Sequence, residues 1–322
     1  MRRVGKPLQI LAVVAAVLLA LGACSSKGGA QNAAGGGKNY TIAMVTHEAP
    51  GDTFWDKIRN GAQTAAKQLG VTLKYSNDPD AGKQATLIQN AIDSKVDGLA
   101  TTLPTPDAIG PAAQKAVSAG IPVVAFNAGK DDYAKYGISM YFGSDETLAG
   151  ETVGKKIAQE TPGRTICVIQ EQGQVQLESR CAGVKQGNPD TEVLYVNGRD
   201  LPSVQQTIGA KLQQDKSIKN VVTLGADIAL AAQKSKTDAS SQANIETFDL
   251  NADVAKQIQS GGIAFSVDQQ PYVQGYMAVT ALWLNLTNGN DIGGGGPVLT
   301  GPSIVDKHNI NKIVPFTENN TR

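Results

Sequence analysis

The sequence is poor in the residues that hold metals. Its 322 residues include only three cysteines and two histidines. His47 and His308 are far apart in the chain, and no recognised zinc-ligand spacing of histidine and cysteine occurs. We therefore expect neither a metal site nor a cofactor.

The motifs that mark common catalytic and nucleotide-binding sites are also missing. There is no G-x-S-x-G nucleophile elbow. The Gly-Lys pairs at 37–38 and 82–83 are followed by Asn39 and Gln84, whereas a phosphate-binding loop needs Ser or Thr there. The glycine run at 293–296 follows a predicted helix, which is the wrong context for a dinucleotide site. We expect that the protein is not an enzyme.

Charge of neither sign is in excess. The chain has 29 Lys and Arg against 29 Asp and Glu, and residues 24–322 have 26 against 29. Proteins that bind nucleic acid need a basic surface, because they must neutralise phosphates. Nucleic acid is therefore not an expected partner.

The N-terminus has the pattern of an export signal. MRRVGK supplies positive charge, and the apolar run of about 13 residues that follows is shorter than the roughly 20 that span a bilayer. Small residues then lead into Cys24. We predict a lipoprotein signal peptide over 1–23, lipid on Cys24 and a flexible Gly-rich tether over 24–39. An uncleaved anchor helix is the alternative.

Two cysteines remain after Cys24. In an exported chain, the even pair Cys167 and Cys181 favours a disulfide, and two buried free thiols are the alternative. We predict that the protein is extracytoplasmic and is held on the cell membrane only by its N-terminal lipid.

Short β-branched strands alternate with helical patterns along the rest of the chain. This alternation predicts an α/β fold with two doubly wound parallel-sheet lobes, since about 280 residues suffice for two domains. The predicted strands are 41–47, 71–77, 97–103, 121–127, 164–170, 191–197, 219–225, 243–249 and 262–268. The predicted helices are 53–69, 83–94, 107–119, 146–160, 176–187, 203–214, 228–236 and 252–259.

The segment HEAPGDTFW stands at the carboxyl end of the first predicted strand, where such sheets bind their ligands. Phe54 and Trp55 are neighbours on the following helix, so their side chains should point about 100° apart. We expect that both cannot share one core face and that at least one faces the cleft. The alternative for Phe54 is the first core position of the helix.

Polar residues recur at the ends of the other predicted strands. Asn127, Glu171, Asp249 and the run 268–270 each follow a strand. Taken singly, each is equally a helix N-cap or a turn former. Taken together, they favour a ligand with many hydroxyl groups, because carboxylates and amides accept and donate hydrogen bonds to hydroxyls.

Several longer motifs resemble one family. They include DTFWDKIRNGAQTAAKQLG, AGIPVVAFN, YFGSDETLAGE, ESRCAGVK and VDQQPYVQGY. The chain from Tyr40 to about Val314 resembles type I periplasmic binding proteins of the ribose-binding class, the receptors of carbohydrate ABC importers. The resemblance implies a carbohydrate or polyol ligand, membrane permease subunits as partners and a monomeric protein.

The resemblance also implies roles for single residues. Phe54 and Trp55 would stack on the sugar, with Asp52 reaching a hydroxyl. Asn127 stands where the family usually has Asp, and Asp249 and Gln269 match further hydroxyl ligands. Arg180 lies close to a sugar-binding Arg of the family, although strict register places Glu178 there. The segment GRDLPS stands where the family often has another aromatic residue.

The family fold divides the chain non-contiguously. It implies an N-terminal lobe of 40–144 plus 270–303 and a C-terminal lobe of 145–269 plus 304–322. Three crossings, at 142–146, 268–270 and 301–303, would form a hinge that closes the lobes on the ligand.

Three other functions remain to be weighed. The same fold also serves as a sensory receptor for furanose-like signals of the autoinducer type, which is the main alternative. A repressor would need a helix-turn-helix in residues 1–39, where we predict a signal and a tether. An exported hydrolase would need catalytic turnover of its sugar.

Overall fold

A computed structural model describes residues 39–322. The predicted signal peptide, Cys24 and the tether up to residue 38 lie outside this described range. No helix within residues 39–322 is long and apolar enough to cross a membrane.

Two six-stranded sheets form the framework of the described chain. The first contains β1 (Thr41–Thr46), β2 (Thr72–Asn77), β3 (Gly98–Thr101), β4 (Val123–Phe126), β5 (Met140–Ser144) and β11 (Val298–Gly301). Its strands are all parallel, in the order β11-β5-β4-β3-β1-β2.

The second sheet contains β6 (Thr165–Ile169), β7 (Thr191–Tyr195), β8 (Asn220–Thr223), β9 (Asn244–Phe248), β10 (Phe265–Asp268) and β12 (Ser303–Asp306). Its order is β12-β10-β9-β8-β6-β7, and only β12 is antiparallel to its neighbour. We call each sheet with its helices a lobe.

Helices cover both faces of each sheet. The first lobe has α1 (Phe54–Leu69), α2 (Ala81–Asp93), α3 (Pro106–Ser118), the 3₁₀ helix Tyr133–Tyr136 and α9 (Pro271–Asn288). The second has α4 (Glu146–Glu160), α5 (Val175–Gly187), α6 (Leu201–Gln214), α7 (Ala226–Asp238), α8 (Ala252–Ser260) and α10 (Ile310–Glu318).

The buried strands supply a hydrophobic cluster to each side of their sheet. In β1, Ile42 and Met44 pack under α1 and α9, whereas Ala43 and Val45 pack under α2 and α3. This alternation follows from the two-residue period of a strand. Burial on both faces explains why the strands are nearly continuous apolar runs. The predicted fold of two doubly wound lobes is confirmed.

Some elements escape the sequence pattern. The predicted elements do not include β5, β11, β12 or α10, and they give no bounds for α9, the helix before the glycine run at 293–296. The three strands have four or five residues and lie beside Gly, Pro or Ser, so they are too short to show an alternating pattern.

The chain passes between the sheets three times. It leaves the first sheet after β5, returns from β10 into α9, and leaves again between β11 and β12. Two of these crossings are bonded together: Gln270 Nε2 donates to Thr300 O at 2.7 Å, and Thr300 Oγ1 donates to Gln269 O at 2.7 Å. The exact lobe boundaries inferred from the family stay a prediction.

Helices α1 and α9 approach each other closely because each has a glycine at the contact. A Cβ atom on Gly61 would overlap the carbonyl oxygen of Tyr272, and one on Gly275 would overlap that of Ile58. Helix α1 also presents Phe54 and Trp55 from its first turn. The close packing therefore fixes the helix that carries both aromatic residues.

We expect Gly61→Ala to lower the free energy of unfolding by about 1–3 kcal/mol, because the added methyl forces two backbones apart. Gly209→Ala is the matched control. Its Cβ would meet only Ser235 Cβ at 3.9 Å, so the ordinary helical preference for alanine should raise stability by about 0.5–1 kcal/mol. Urea unfolding measures both, and equal effects of the two substitutions would contradict the close-packing argument.

Candidate ligand-binding cleft

A cavity of about 740 Å³ lies between the carboxyl ends of the two sheets. It is lined by residues that follow strands β1, β2 and β4 of the first lobe and β6, β7, β8, β9 and β10 of the second. The lining includes all eight residues that the sequence analysis selected: Asp52, Phe54, Trp55, Asn127, Glu171, Arg180, Asp249 and Gln269.

Aromatic rings form one wall of this cavity. Phe54 and Trp55 meet edge to face, with ring centroids 5.3 Å apart, and His47 meets Trp55 in the same way at 4.6 Å. Trp55 is only 3% exposed and belongs to the hydrophobic cluster under α1, while Phe54 packs against that cluster. The expectation that the two rings cannot share a core face is wrong. Both residues lie in the first turn of α1, where their rings contact the hydrophobic cluster and also form part of the cavity wall.

Asp52 is held at the entrance of α1. Its Oδ1 accepts a hydrogen bond from Phe54 N at 3.0 Å, a turn that Asp favours before a helix. This bond fixes the carboxylate beside the aromatic wall.

A chain of side-chain hydrogen bonds links the two lobes at the hinge side. Asn127 Nδ2 donates to Gln269 Oε1 at 3.3 Å, and Gln269 Nε2 donates to Asp249 Oδ1 at 2.8 Å. Asn127 and Asp249 occupy equivalent places after β4 and β9, with φ of 65° and 67°. Asn and Asp tolerate this left-handed conformation better than most residues do. The geometry turns both side chains into the cleft.

Arg180 lines the cavity from α5. It forms a two-point ion pair with Glu146, with Nε to Oε2 at 2.6 Å and Nη2 to Oε1 at 3.1 Å, and it stacks on Phe248 at 5.0 Å. Arg180 is 2% and Glu146 6% exposed. The rival residue Glu178 does not line the cavity, because it bonds to Gly173 N and the Tyr195 hydroxyl.

The cavity is rich in carboxylates. Burial, against the opposing hydrogen bond from Phe54 N and with smaller contributions from nearby carboxylates such as that of Asp249, raises the pKa of Asp52 to about 7. Burial also raises the pKa of Asp249 to about 6, against the opposing effect of Arg180. The same desolvation raises the pKa of Glu171 and of Asp227. A ligand that donates hydrogen bonds would stabilise these carboxylates in their charged form.

A buried lysine stands behind these carboxylates. Lys57 is 2% exposed, and its Nζ donates to Thr53 O at 3.3 Å. Burial lowers the pKa of Lys57, and the charges of Asp249 and Asp52 act in the opposite direction. Lys57 therefore supplies a buried positive charge close to these carboxylates, and this charge offsets part of their negative charge.

The lobes also touch on the side away from the hinge. Gln176 Nε2 lies 3.2 Å from His47 Nε2, and Val175 N donates to Pro104 O at 2.9 Å. Burial lowers the pKa of His47 to about 3, so its ring is neutral. An amide nitrogen can only donate, so Gln176 Nε2 donates to His47 Nε2, which must be unprotonated. The ring proton therefore lies on Nδ1, which donates it to Thr102 Oγ1 at 2.7 Å.

Three residues of the site are absent from the sequence-based prediction: His47 and Asp227, which line the cavity, and Lys57, which lies behind its carboxylates. His47 directly follows β1, and Asp227 lies in the first turn of the helix after β8. The rule that ligands bind at the carboxyl ends of strands, which selected Asn127, therefore also applied to these two residues. Lys57 carries no such signal, because a lysine on a helix is usually solvent-exposed.

A disulfide stiffens the second lobe next to the cleft. Cys167 of β6 and Cys181 of α5 are bonded, with Cα atoms 5.7 Å apart. The bond joins the strand that ends before Glu171 to the helix that carries Arg180. A loop of this size contributes about 3 kcal/mol by restricting the unfolded chain.

A family model described as a periplasmic binding protein domain matches residues 42–291. The chain belongs to this family. Its members are solute-binding proteins of ABC importers that work outside the cytoplasm, and they are not enzymes. The expectations of a periplasmic binding protein and of no enzymatic activity are therefore confirmed.

Solved and curated relatives support the assignment to this periplasmic binding protein family. A carbohydrate transporter from Acidothermus cellulolyticus 11B, solved in complex with myo-inositol, is 55% identical with a TM-score of 0.87, over 88% of this chain and 100% of that one. The ribose import binding protein of Haemophilus influenzae is 28% identical, over 84% of this chain and 91% of that protein. The xylose/arabinose-binding protein of Sulfolobus acidocaldarius is 25% identical, over 77% of this chain and 66% of that protein.

We expect Glu146→Ala to lower the free energy of unfolding by about 3–5 kcal/mol, because it leaves the charge of Arg180 buried without its partner. Glu151→Ala on the same helix is the matched control. Glu151 pairs at 2.7 Å with Lys155, whose side chain is 61% exposed, so its loss should cost less than about 1 kcal/mol. Denaturant unfolding gives both values, and a small effect at Glu146 would show that the buried pair does not hold α4 to α5.

Proposed function

We propose that this protein is a lipid-anchored receptor that captures a monosaccharide or sugar alcohol between its lobes and delivers it, as a monomer, to the permease subunits of an ABC importer. The observation that carries the proposal is the convergence in one cavity of three polar residues, Asn127, Asp249 and Gln269, with the aromatic rings of Phe54 and Trp55.

The chemistry of the cavity matches a polyol. Carboxylates and amides bond to neighbouring hydroxyl groups, and an aromatic face packs against the C–H face of a sugar or cyclitol ring. Asp249 Oδ2 has no hydrogen-bond partner among residues 39–322, so it can accept from a ligand. These groups come from both lobes, so the same ligand would hold the lobes together.

The charge of the cavity favours an uncharged ligand. Asp52, Glu171, Asp227 and Asp249 line it and outnumber Arg199. The charges of Lys83 and Arg180 are already matched by Asp78 and Glu146. An anionic sugar phosphate or sugar acid would be repelled by these carboxylates. Neutral hydroxyl donors meet no such opposition.

The relatives direct the choice of the first ligands to test. The Acidothermus protein was solved with myo-inositol, and the curated relatives are named for ribose, xylose and arabinose. The first relative is about twice as similar in sequence as the other two, so myo-inositol is the first candidate and the pentoses are the next ones.

The N-terminal sequence supports the anchor. A short apolar segment follows Arg2, Arg3 and Lys6, and small residues precede Cys24. The tether that follows would let the lobes move freely at the membrane surface.

We expect isothermal titration with myo-inositol, ribose, xylose and arabinose to show tight binding of at least one of them. Asp249→Asn should weaken that binding by about 10-fold or more, because a hydrogen bond to a charged group contributes about 1.5–3 kcal/mol. Glu178→Gln is the control and should change the affinity less than about twofold, since Glu178 does not line the cavity. Failure of the whole polyol panel to bind would refute the proposed ligand class.

We expect Cys24→Ala to abolish incorporation of labelled palmitate and to move the protein from the membrane fraction to the soluble fraction. Ser25→Ala is the control and should leave both properties unchanged, because only the cysteine thiol receives lipid. If the wild-type protein, which carries neither substitution, is already found in the soluble fraction, the anchor is ruled out.

A further inference from the structure

A second cavity of about 370 Å³ adjoins the ligand cavity. Five residues line both: Pro79, Gln170, Glu171, Gln174 and Arg199. We call the second cavity the outer compartment. Both lobes contribute to its walls, since Gln84 and Thr105 come from the first lobe and Gln172 and Asn197 from the second.

The walls of the outer compartment contain buried acceptors without partners. Gln84 Oε1, Gln170 Oε1 and Glu171 Oε1 have no hydrogen-bond partner within residues 39–322. Gln84 is 0% exposed, and its Nε2 is used by Thr102 O at 2.8 Å, which fixes the amide and leaves Oε1 as the unused atom. Buried acceptors are almost always bonded to protein, water or ligand. Because Gln84, Gln170 and Glu171 line the outer compartment, a small shift of these side chains would let the three oxygens accept hydrogen bonds from a group bound there.

The lining of the outer compartment is suited to hydroxyl groups. It has no aromatic residue, and its polar side chains are mainly amides, with Glu171 and Arg199 as the charged ones. Such a surface cannot stack on a ring, but it can donate and accept hydrogen bonds on several sides. A neutral, hydroxylated group fits this combination.

The ligand cavity alone is larger than one ring needs. A volume of about 740 Å³ corresponds to roughly 25 water molecules at ~30 Å³ each. A hexose or cyclitol has about a dozen non-hydrogen atoms, so it would fill less than half of that volume even if each atom took the space of one water. Space remains between a ring stacked on Phe54 and the outer compartment.

The segment 198–203 borders both cavities and contains no aromatic residue. Gly198 N donates to Gln170 O at 2.9 Å, and a Cβ on Gly198 would crowd the side chain of Gln170. Arg199 lines both cavities, and Gly198 lines the ligand cavity.

The outer compartment lies beside the contact that joins the lobes away from the hinge. Pro104 lines the compartment and accepts the hydrogen bond from Val175 N. A group bound there would touch both lobes, as the ring in the ligand cavity does. Its contacts would therefore add to the affinity of the closed form.

Building on the proposed function, we infer that the physiological ligand has two hydroxylated units. The first is the ring held by Asp249, Asn127 and the aromatic wall. The second is a glycosidically linked sugar or polyol, held in the outer compartment by Gln84, Gln170 and Glu171. The protein would thus select a glycosyl cyclitol or a disaccharide over the corresponding single ring.

The test compares single-unit and two-unit probes on the chain from residue 38 onward. The single-unit probes are myo-inositol, glucose and galactose, and the two-unit probes are α-galactopyranosyl-myo-inositol, α-glucopyranosyl-myo-inositol and a set of hexose disaccharides. Isothermal titration gives each dissociation constant. We expect at least one two-unit probe to bind 10-fold or more tightly than its single ring.

Filling the outer compartment provides the second arm. Asn197 and Thr105 are exposed, line only the outer compartment and come from opposite lobes. Asn197→Trp and Thr105→Trp should each weaken the two-unit probe 10-fold or more and change the single ring less than about twofold. Gln242→Trp, at an exposed position that lines neither cavity, is the matched control and should leave both affinities unchanged.

The outcomes separate this inference from the proposed function. If a single ring binds and no two-unit probe binds more tightly, the outer compartment is not a subsite, and the proposed function stands. If both tryptophan variants leave two-unit binding unchanged, the inference is also overturned. If no probe of either kind binds although a pentose does, the inference is overturned and the proposed function stands. If the pentoses also fail to bind, the proposed function itself fails.

Discussion

The side chain of Gln269 joins the two halves of the cleft. It accepts from Asn127 of the first lobe and donates to Asp249 of the second, and its backbone oxygen accepts from Thr300 of another crossing. An amide is suited to this place because it donates at one end and accepts at the other. The positions of the two main polar groups of the site are thus tied to the hinge itself.

The electrostatics of the cleft follow from placing many acids in a confined space. Burial and mutual repulsion make the ionised forms of Asp52 and Asp249 unfavourable, and Lys57 offsets only part of this effect. At Asp249, Arg180 opposes the effect of burial more strongly than Lys57 does, although Arg180 is also bonded to Glu146. Burial therefore disfavours the ionised carboxylates, and hydrogen bonds from hydroxyl donors would offset this effect in a way that an anion cannot.

The sequence predicts the framework well because both of its signals are local. Alternating buried strands and helices specify the two sheets, and the rule that ligands bind at strand ends selects Asn127, Asp249 and Gln269 without any structure. The failures are tertiary effects. The burial of Lys57 and the packing of both Phe54 and Trp55 depend on what lies opposite α1, which no spacing within the helix reveals. The choice between Arg180 and Glu178 likewise needs the direction in which α5 faces the cavity.

The placement of the disulfide has a consequence for how the protein moves. Cys167 and Cys181 both belong to the second lobe, and neither lies at a crossing between the sheets. The covalent bond therefore restrains the shape of one binding surface and leaves the opening angle unrestrained. Reduction of the disulfide would let Arg180 on α5 and Glu171 after β6 shift relative to each other. It would not change how far the lobes can separate. Formation of this disulfide outside the cytoplasm would thus affect how well the ligand fits, and it would not affect the range of the hinge motion.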